Sequence, residues 1–129
     1  FGSNGNNFVK TMLRLGAERD TLSVVCDQFG SPTYTKDLAT LIADIIQTER
    51  YGTYHATNEG FCSWADFAKE IMQLSGLNAR VSPIASSEYP AKAKRPKNSR
   101  LSKQKLLDSG FNSLPDWKNA LKRFLNEIS

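Results

Sequence analysis

The chain has 129 residues, 40% of them hydrophobic, enough to bury a modest core and too many for a disordered segment. No apolar run approaches the roughly 18 to 20 residues that cross a bilayer, and the start lacks the basic and apolar regions of a secretion signal, so the expectation is a soluble, cytoplasmic protein with no membrane partner. The formal net charge of +4 permits a polyanion partner without requiring one, and it is unevenly spread: Lys92, Lys94, Arg95, Lys97, Arg100, Lys103 and Lys105 crowd one stretch.

The opening FGSNGNN is a loop from which Asn6 or Asn7 caps a helix, with Phe8, Met12 and Leu15 on one face and Gly16 and Asp20 marking where it frays. TLSVVCD predicts a strand. In DQFGSPT that follows, Gly30 is expected at positive φ, and Thr33 or Thr35 caps the next helix. TKDLATLIADIIQTE is that helix, striped by Leu38, Leu41, Ile42 and Ile45. GTYHATN, residues 52–58, alternates in the manner of a strand. In CSWADFAKEIMQLSG, Ser63 and Asp66 have capping-box spacing, Phe67, Ile71 and Leu74 are expected to face a core, and Gly76 supplies the stop. RVSPI is a further strand, and residues 85–98 carry no period. Ser102 opens a short helix through Asp108, and LPDWKNALKRFLNEIS is a last amphipathic helix with Trp117, Leu121 and Leu125 inward. Short strands among about five helices give an α/β class.

Cys26, at a strand end, and Cys62, in a polar stretch, read as free thiols rather than a disulfide framework. His55 has no second ligand at metal spacing, and Trp64 and Trp117 read as packing residues. No glycine-rich strand-turn-helix fingerprint occurs, and the chain starts at Phe1, so it is expected to be part of a longer protein.

Two stretches carry chemistry. DQFGSPT is either a plain strand-to-helix turn or a place where Asp27, Gln28, Ser31 and Thr33, beside helix-start amides, meet a polar ligand. AKAKRPKNSRLS is either a solvated face or an anion site, in which Arg95 and Arg100 fork onto phosphate and Asn98 and Ser99 serve as neutral donors. Few aromatics interleave with these cations and no nucleic-acid motif is present, so a nucleic-acid partner is not expected.

NFVKTMLRLGAERDTLSVVCDQFGSPTYTKDLATLI, GTYHATNEGFCSWADFAKEI and RPKNSRLSKQKL together resemble the C-terminal part of the dTDP-4-dehydrorhamnose reductases, extended short-chain dehydrogenases of Rossmann type. The resemblance implies that residues 1–129 are a C-terminal substrate-binding domain fragment, with its own N-terminal Rossmann domain absent from this chain as its partner. It implies NADPH or NADH as the cofactor of the full-length parent and none in this fragment. It further implies reduction of dTDP-4-dehydro-L-rhamnose to dTDP-L-rhamnose for cell-surface polysaccharide, a dTDP-sugar as ligand, and leaves a homodimer open. Arg95, Asn98 and Ser99 then lie near the nucleotide-sugar, with Gln28, Ser31 and Thr33 at the cleft edge. Catalytic, cofactor and metal residues are expected to be none, because the family's Tyr-x-x-x-Lys pair falls upstream of Phe1. Here Tyr34 is followed four residues on by Leu38, Tyr51 by His55, Tyr54 by Asn58 and Tyr89 by Ala93. Two alternatives stay open: a non-catalytic reductase-like regulatory or interaction module, and another nucleotide-sugar epimerase or reductase.

Overall fold

A computed structural model describes residues 1–129. In chain order it holds α1 (Phe8–Glu18), β1 (Thr21–Val25), β2 (Phe29–Gly30), α2 (Thr35–Ile46), β3 (Cys62–Ser63), α3 (Trp64–Ser75), β4 (Arg80–Ile84), α4 (Gln104–Asp108) and α5 (Trp117–Ile128), with a 3-10 turn at Ser86–Glu88. The mixed α/β class with five helices and short strands is therefore present. β1 and β4 pair in parallel, Thr21 opposite Arg80 and Val25 opposite Ile84. Parallel neighbours need a crossover, and the chain between them supplies α2 and α3.

α3 is the centre of the packing. Its start is fixed by a capping box, Ser63 Oγ accepting from the Asp66 N–H and Asp66 returning a carboxylate to the Ser63 N–H, both at 3.1 Å. Its end is fixed by Gly76 in the left-handed conformation at φ 73°. Between them Phe67, Ala68, Ile71 and Met72 are buried against Val9 and Met12 of α1, Leu22 and Val24 of β1, and Leu121 and Phe124 of α5. Removing a side chain the size of Ile71 from water contributes roughly 1.5 to 3 kcal/mol. A smaller cluster, Leu41, Leu106, Phe111 and Leu114, joins α2 to α4 and the segment before α5.

Several sequence expectations are corrected by this packing. α1 ends at Glu18, inside the expected Gly16 to Asp20 interval, but Gly16 itself is a buried helix residue. A Cβ there would lie 2.7 Å from Met72 Sδ, so the glycine serves close approach of α1 to α3. Gly30 is not at positive φ; it pairs as β2, opposite Cys62 of β3. Neither Thr33 nor Thr35 caps α2: its cap position is Tyr34, whose side chain makes no cap bond because its hydroxyl reaches Glu127 instead, and whose N–H donates to Asn58 Oδ1 at 2.7 Å. Leu74 is exposed, Ile42 is half exposed, and Cys62 is buried rather than in a polar loop. Both thiols are free.

Residues 52–58 form no strand. Their in-and-out character survives in part, since Tyr54 and Ala56 pack on the smaller cluster while Thr53 and His55 are exposed. What is missing is the ladder: the main-chain N–H and C=O groups of residues 52–57 make no hydrogen bond within the chain.

The central place of Ile71, fully buried, sets the first expectation. Ile71→Ala should lower the unfolding free energy by about 3 kcal/mol, within the range for large-to-small core changes, as read from the urea midpoint at unchanged slope.

Candidate functional site

The two stretches that carry chemistry, more than sixty residues apart in sequence, are stitched together. The Phe29 N–H donates to the Lys97 carbonyl and the Ser99 N–H to the Phe29 carbonyl, each at 2.8 Å, a parallel bridge between Phe29 and Asn98. Phe29 also sits in register with Ser63 on its other side. The result is a miniature three-stranded patch that presents the 28–33 turn, the 95–99 segment and the start of α3 to one groove of about 560 Å³.

Gln28, Ser31 and Thr33 of the turn line this groove together with Arg95, Pro96 and Ser99 of the basic segment. Phe8, Trp64 and Phe67 form an aromatic side, Phe8 tilted against Trp64 at 4.8 Å and stacked on Phe67 at 5.4 Å between centroids. An adjoining hollow of about 1100 Å³ shares Phe8, Gln28, Trp64 and Arg95, and is rimmed by Lys92, Lys94 and Lys97. The concave surface thus has an aromatic face, neutral polar groups and a cationic rim.

The hydroxyl protons in the wall are already committed. Ser31 donates to the Gly60 carbonyl at 2.6 Å and Thr33 to the Ser31 carbonyl at 3.1 Å, so toward a ligand both oxygens act as acceptors. Gly60 has no room to be anything else: its φ is 79° and a Cβ would lie 2.8 Å from Asp116 Oδ2. Arg95 is exposed and joins none of the chain's ion pairs, which leaves its planar fork available. Asn98 is not in the groove wall; its Oδ1 accepts from the main-chain and Nε N–H groups of Arg100, both at 3.0 Å. Arg100 in turn lies over the Phe61 ring, 4.6 Å from its centroid. Asp27 is occupied as well, its carboxylate accepting from the Ser86 N–H and hydroxyl at 3.0 and 2.9 Å.

Trp64 departs from the sequence expectation. Trp117 packs as expected, edge-on to Phe67 and buried, whereas Trp64 is 42% exposed and lines both hollows. Trp64, Phe67, Ala68 and Ile71 share one helical stripe, so spacing alone assigns all four to a core. Cys62 also borders the groove, but burial, with the charge of Asp66 adding to it, pushes its thiol up to about 12, and a protonated thiol is no nucleophile at neutral pH.

Behind the turn lies a polar cluster with no sequence signature. Asn58 is fully buried; its Oδ1 accepts from the Tyr34 N–H, and its Nδ2 donates to Asp37 Oδ2 at 2.8 Å and to the Pro115 carbonyl at 2.9 Å. Arg123 closes the cluster with a bidentate fork on Asp37, at 2.8 and 2.7 Å. Burial acts to raise the Asp37 carboxyl, but hydrogen bonds from Arg123 and Asn58 and the guanidinium charge outweigh it and hold it below the usual carboxylate value. The Tyr34 hydroxyl bonds to Glu127, and burial together with that carboxylate pushes Tyr34 up to about 12.

No glycine-rich strand-to-helix turn of the kind that holds a dinucleotide's phosphates occurs in the chain. At the β2 to α2 junction the Tyr34 amide is taken by Asn58 and the Thr35 amide by the Phe1 carbonyl, and at the start of α3 the capping box takes the amides of Ser63 and Asp66.

Comparison with known proteins bears on what the groove receives. The family model described as RmlD substrate binding domain matches residues 1–129. The spore coat polysaccharide biosynthesis protein SpsK of Bacillus subtilis is 42% identical over 100% of this chain and 45% of its own length. The dTDP-4-dehydrorhamnose reductase of Aggregatibacter actinomycetemcomitans is 42% identical over 95% of this chain and 46% of its own. A crystal structure of dTDP-4-dehydrorhamnose reductase from Bacillus anthracis, in complex with NADP, superposes with a TM-score of 0.93 at 46% identity, covering 100% of this chain and 45% of that one. The chain spans about half the length of the curated relatives it matches.

The Asp37 cluster yields a pH test. Because its folded-state value is depressed, the carboxylate stabilises the fold above the ordinary carboxylate range, and the contribution fades as pH falls through the folded value. Asp37→Asn should cost about 2 kcal/mol at pH 7, from the range for charged hydrogen bonds. The gap to the unsubstituted chain should narrow in urea titrations as pH falls below the ordinary carboxylate value. An equal gap at both pH values would show that the charge on Asp37 is not the stabilising element.

Proposed function

Since the chain belongs to the RmlD substrate-binding domain family, we propose that residues 1–129 are the sugar-nucleotide-binding part of a dTDP-4-dehydrorhamnose reductase. In this reading the parent protein reduces dTDP-4-dehydro-L-rhamnose to dTDP-L-rhamnose, in the cytoplasm, for polysaccharide synthesis. A dinucleotide-binding part on the N-terminal side holds NADPH or NADH, and the bound dinucleotide supplies the hydride there. The part described here contributes recognition and no hydride chemistry.

One observation supports the reading above the others: the turn and the basic segment are hydrogen-bonded to each other through Phe29 and line one groove. A nucleoside diphosphate sugar needs three chemistries, and the lining of the groove offers all three. Arg95 suits the diphosphate, because a guanidinium meets two phosphate oxygens at once. The exposed Trp64 face, braced by Phe8, suits a base. Gln28, Ser31, Thr33 and Ser99 suit sugar hydroxyls, with Ser31 and Thr33 accepting from them. Asn98 acts indirectly, by fixing Arg100.

The test is kinetic and uses the full-length parent. Arg95→Ala should raise KM for the dTDP-sugar about ten- to a hundredfold, the equivalent of losing roughly 1.5 to 3 kcal/mol from a charged hydrogen bond. Arg95→Lys, which keeps the charge and loses the fork, should fall between. KM for the dinucleotide should stay near its starting value in both. A sugar KM unchanged in both variants would return the basic segment to a solvated face.

A further inference from the structure

We propose that Asn58 is a positioning residue for the groove, holding the Gln28–Thr33 wall in its ligand-receiving shape without itself touching the ligand. The inference rests on the reading of the groove as a ligand site.

Three observations carry it. First, Asn58 is 0% exposed and does not line the groove, while its neighbour Thr57 and its partner Thr33 do. Second, its bonds converge on the end of the wall: Oδ1 takes the Tyr34 N–H at 2.7 Å, and its own N–H reaches Thr33 Oγ1 at 3.4 Å. Third, what it holds the wall to is rigid. Nδ2 is bonded to Asp37 on α2 and to Pro115 just before α5, and Asp37 is fixed by the two-pronged contact of Arg123 on α5.

The wall has other ties: Phe29 is bonded to Lys97 and Ser99, Gly30 pairs with Cys62, Ser31 reaches the Gly60 carbonyl, and the Phe1 ammonium donates to the Thr33 carbonyl at 2.8 Å. The bond from the Tyr34 N–H to Asn58 is buried, where a lost partner leaves a donor that water cannot reach. Without it Asp37 keeps Arg123 and the Pro115 carbonyl keeps the Glu59 N–H, but the buried Tyr34 amide has no partner, and the end of the wall at Thr33 and Tyr34 loses its link to α2 and α5. A ligand that accepts its geometry from that wall then has to order it on binding, and affinity falls.

The experiment titrates dTDP, the probe, into the 129-residue chain and three variants, with binding read calorimetrically and amide exchange read by nuclear magnetic resonance. Asn58→Ala should weaken dTDP binding about tenfold, the effect of one lost hydrogen bond of the stronger kind. Arg123→Lys, milder because the side chain is 40% exposed, should weaken it about threefold through Asp37. Ile71→Ala, destabilised in the core away from the wall, should bind within about twofold of the unsubstituted chain. The Tyr34 amide should exchange faster in Asn58→Ala and keep its protection in Ile71→Ala at matched distance from the unfolding midpoint. Unchanged dTDP affinity in Asn58→Ala, or an equal loss in Ile71→Ala, would overturn the positioning role while leaving the groove reading intact. If Asn58→Ala does not fold, Arg123→Lys against Ile71→Ala decides the matter by the same comparison. Failure of the unsubstituted chain to bind dTDP would overturn the groove reading, and the positioning role with it.

Discussion

Taking the amide of Asn58 entirely out of water obliges four chain segments to meet. Its one carbonyl and two N–H groups have to be matched inside the protein, because an unmatched buried polar group costs on the order of 1 to 3 kcal/mol. The partners that match them lie on the chain just after Thr33, on α2, and in front of α5. Asp37 cannot be accepted there as a bare charge, so Arg123 of α5 follows. The turn and α2 are thus tied to α5 by polar matching, while α1, α3, β1 and the inner face of α5 share one apolar core. The groove lies where these two kinds of constraint adjoin: its aromatic side belongs to the apolar core and its turn wall to the polar cluster.

That division explains what the sequence disclosed. The helices were legible because their signals are local: the Ser63 and Asp66 cap, the Gly76 stop and the apolar spacing of α1, α3 and α5 lie within the elements they define. The chemistry of the turn and of the basic segment was also legible, residue by residue. Their meeting was not, since the Phe29 bonds to Lys97 and Ser99 are main-chain bonds and leave no trace in side-chain identity. Asn58 looked like the tail of a strand, and nothing local singles out Asp37 of α2 or Arg123 of α5, whose pairing spans 86 residues of chain. Trp64 shared a stripe with core residues, and only the end of the helix on which it sits distinguishes it. Gly16 and Gly30 were misassigned for a common reason: a glycine signals freedom, and the sequence does not say whether that freedom is used for a dihedral angle or for close approach.

The homology and the geometry constrain each other. A family match over residues 1–129 names the class of part to which this chain belongs, and the match covers under half of each relative's length. The groove lined by the 28–33 turn, the 95–99 segment and the start of α3 lies within that matched part.

The bare main chain of residues 52–57 has a consequence for anyone who handles this part alone. A run of unmatched donors and acceptors, backed by Tyr54 and Ala56 and flanked by the exposed side chain of Tyr51, is a template on which another polypeptide can lay down a strand. Such an edge is open to strand addition for as long as nothing pairs with it. A lysine or proline introduced at Thr53 or His55, both solvent-facing, would blunt it in the way that natural sheets protect their margins.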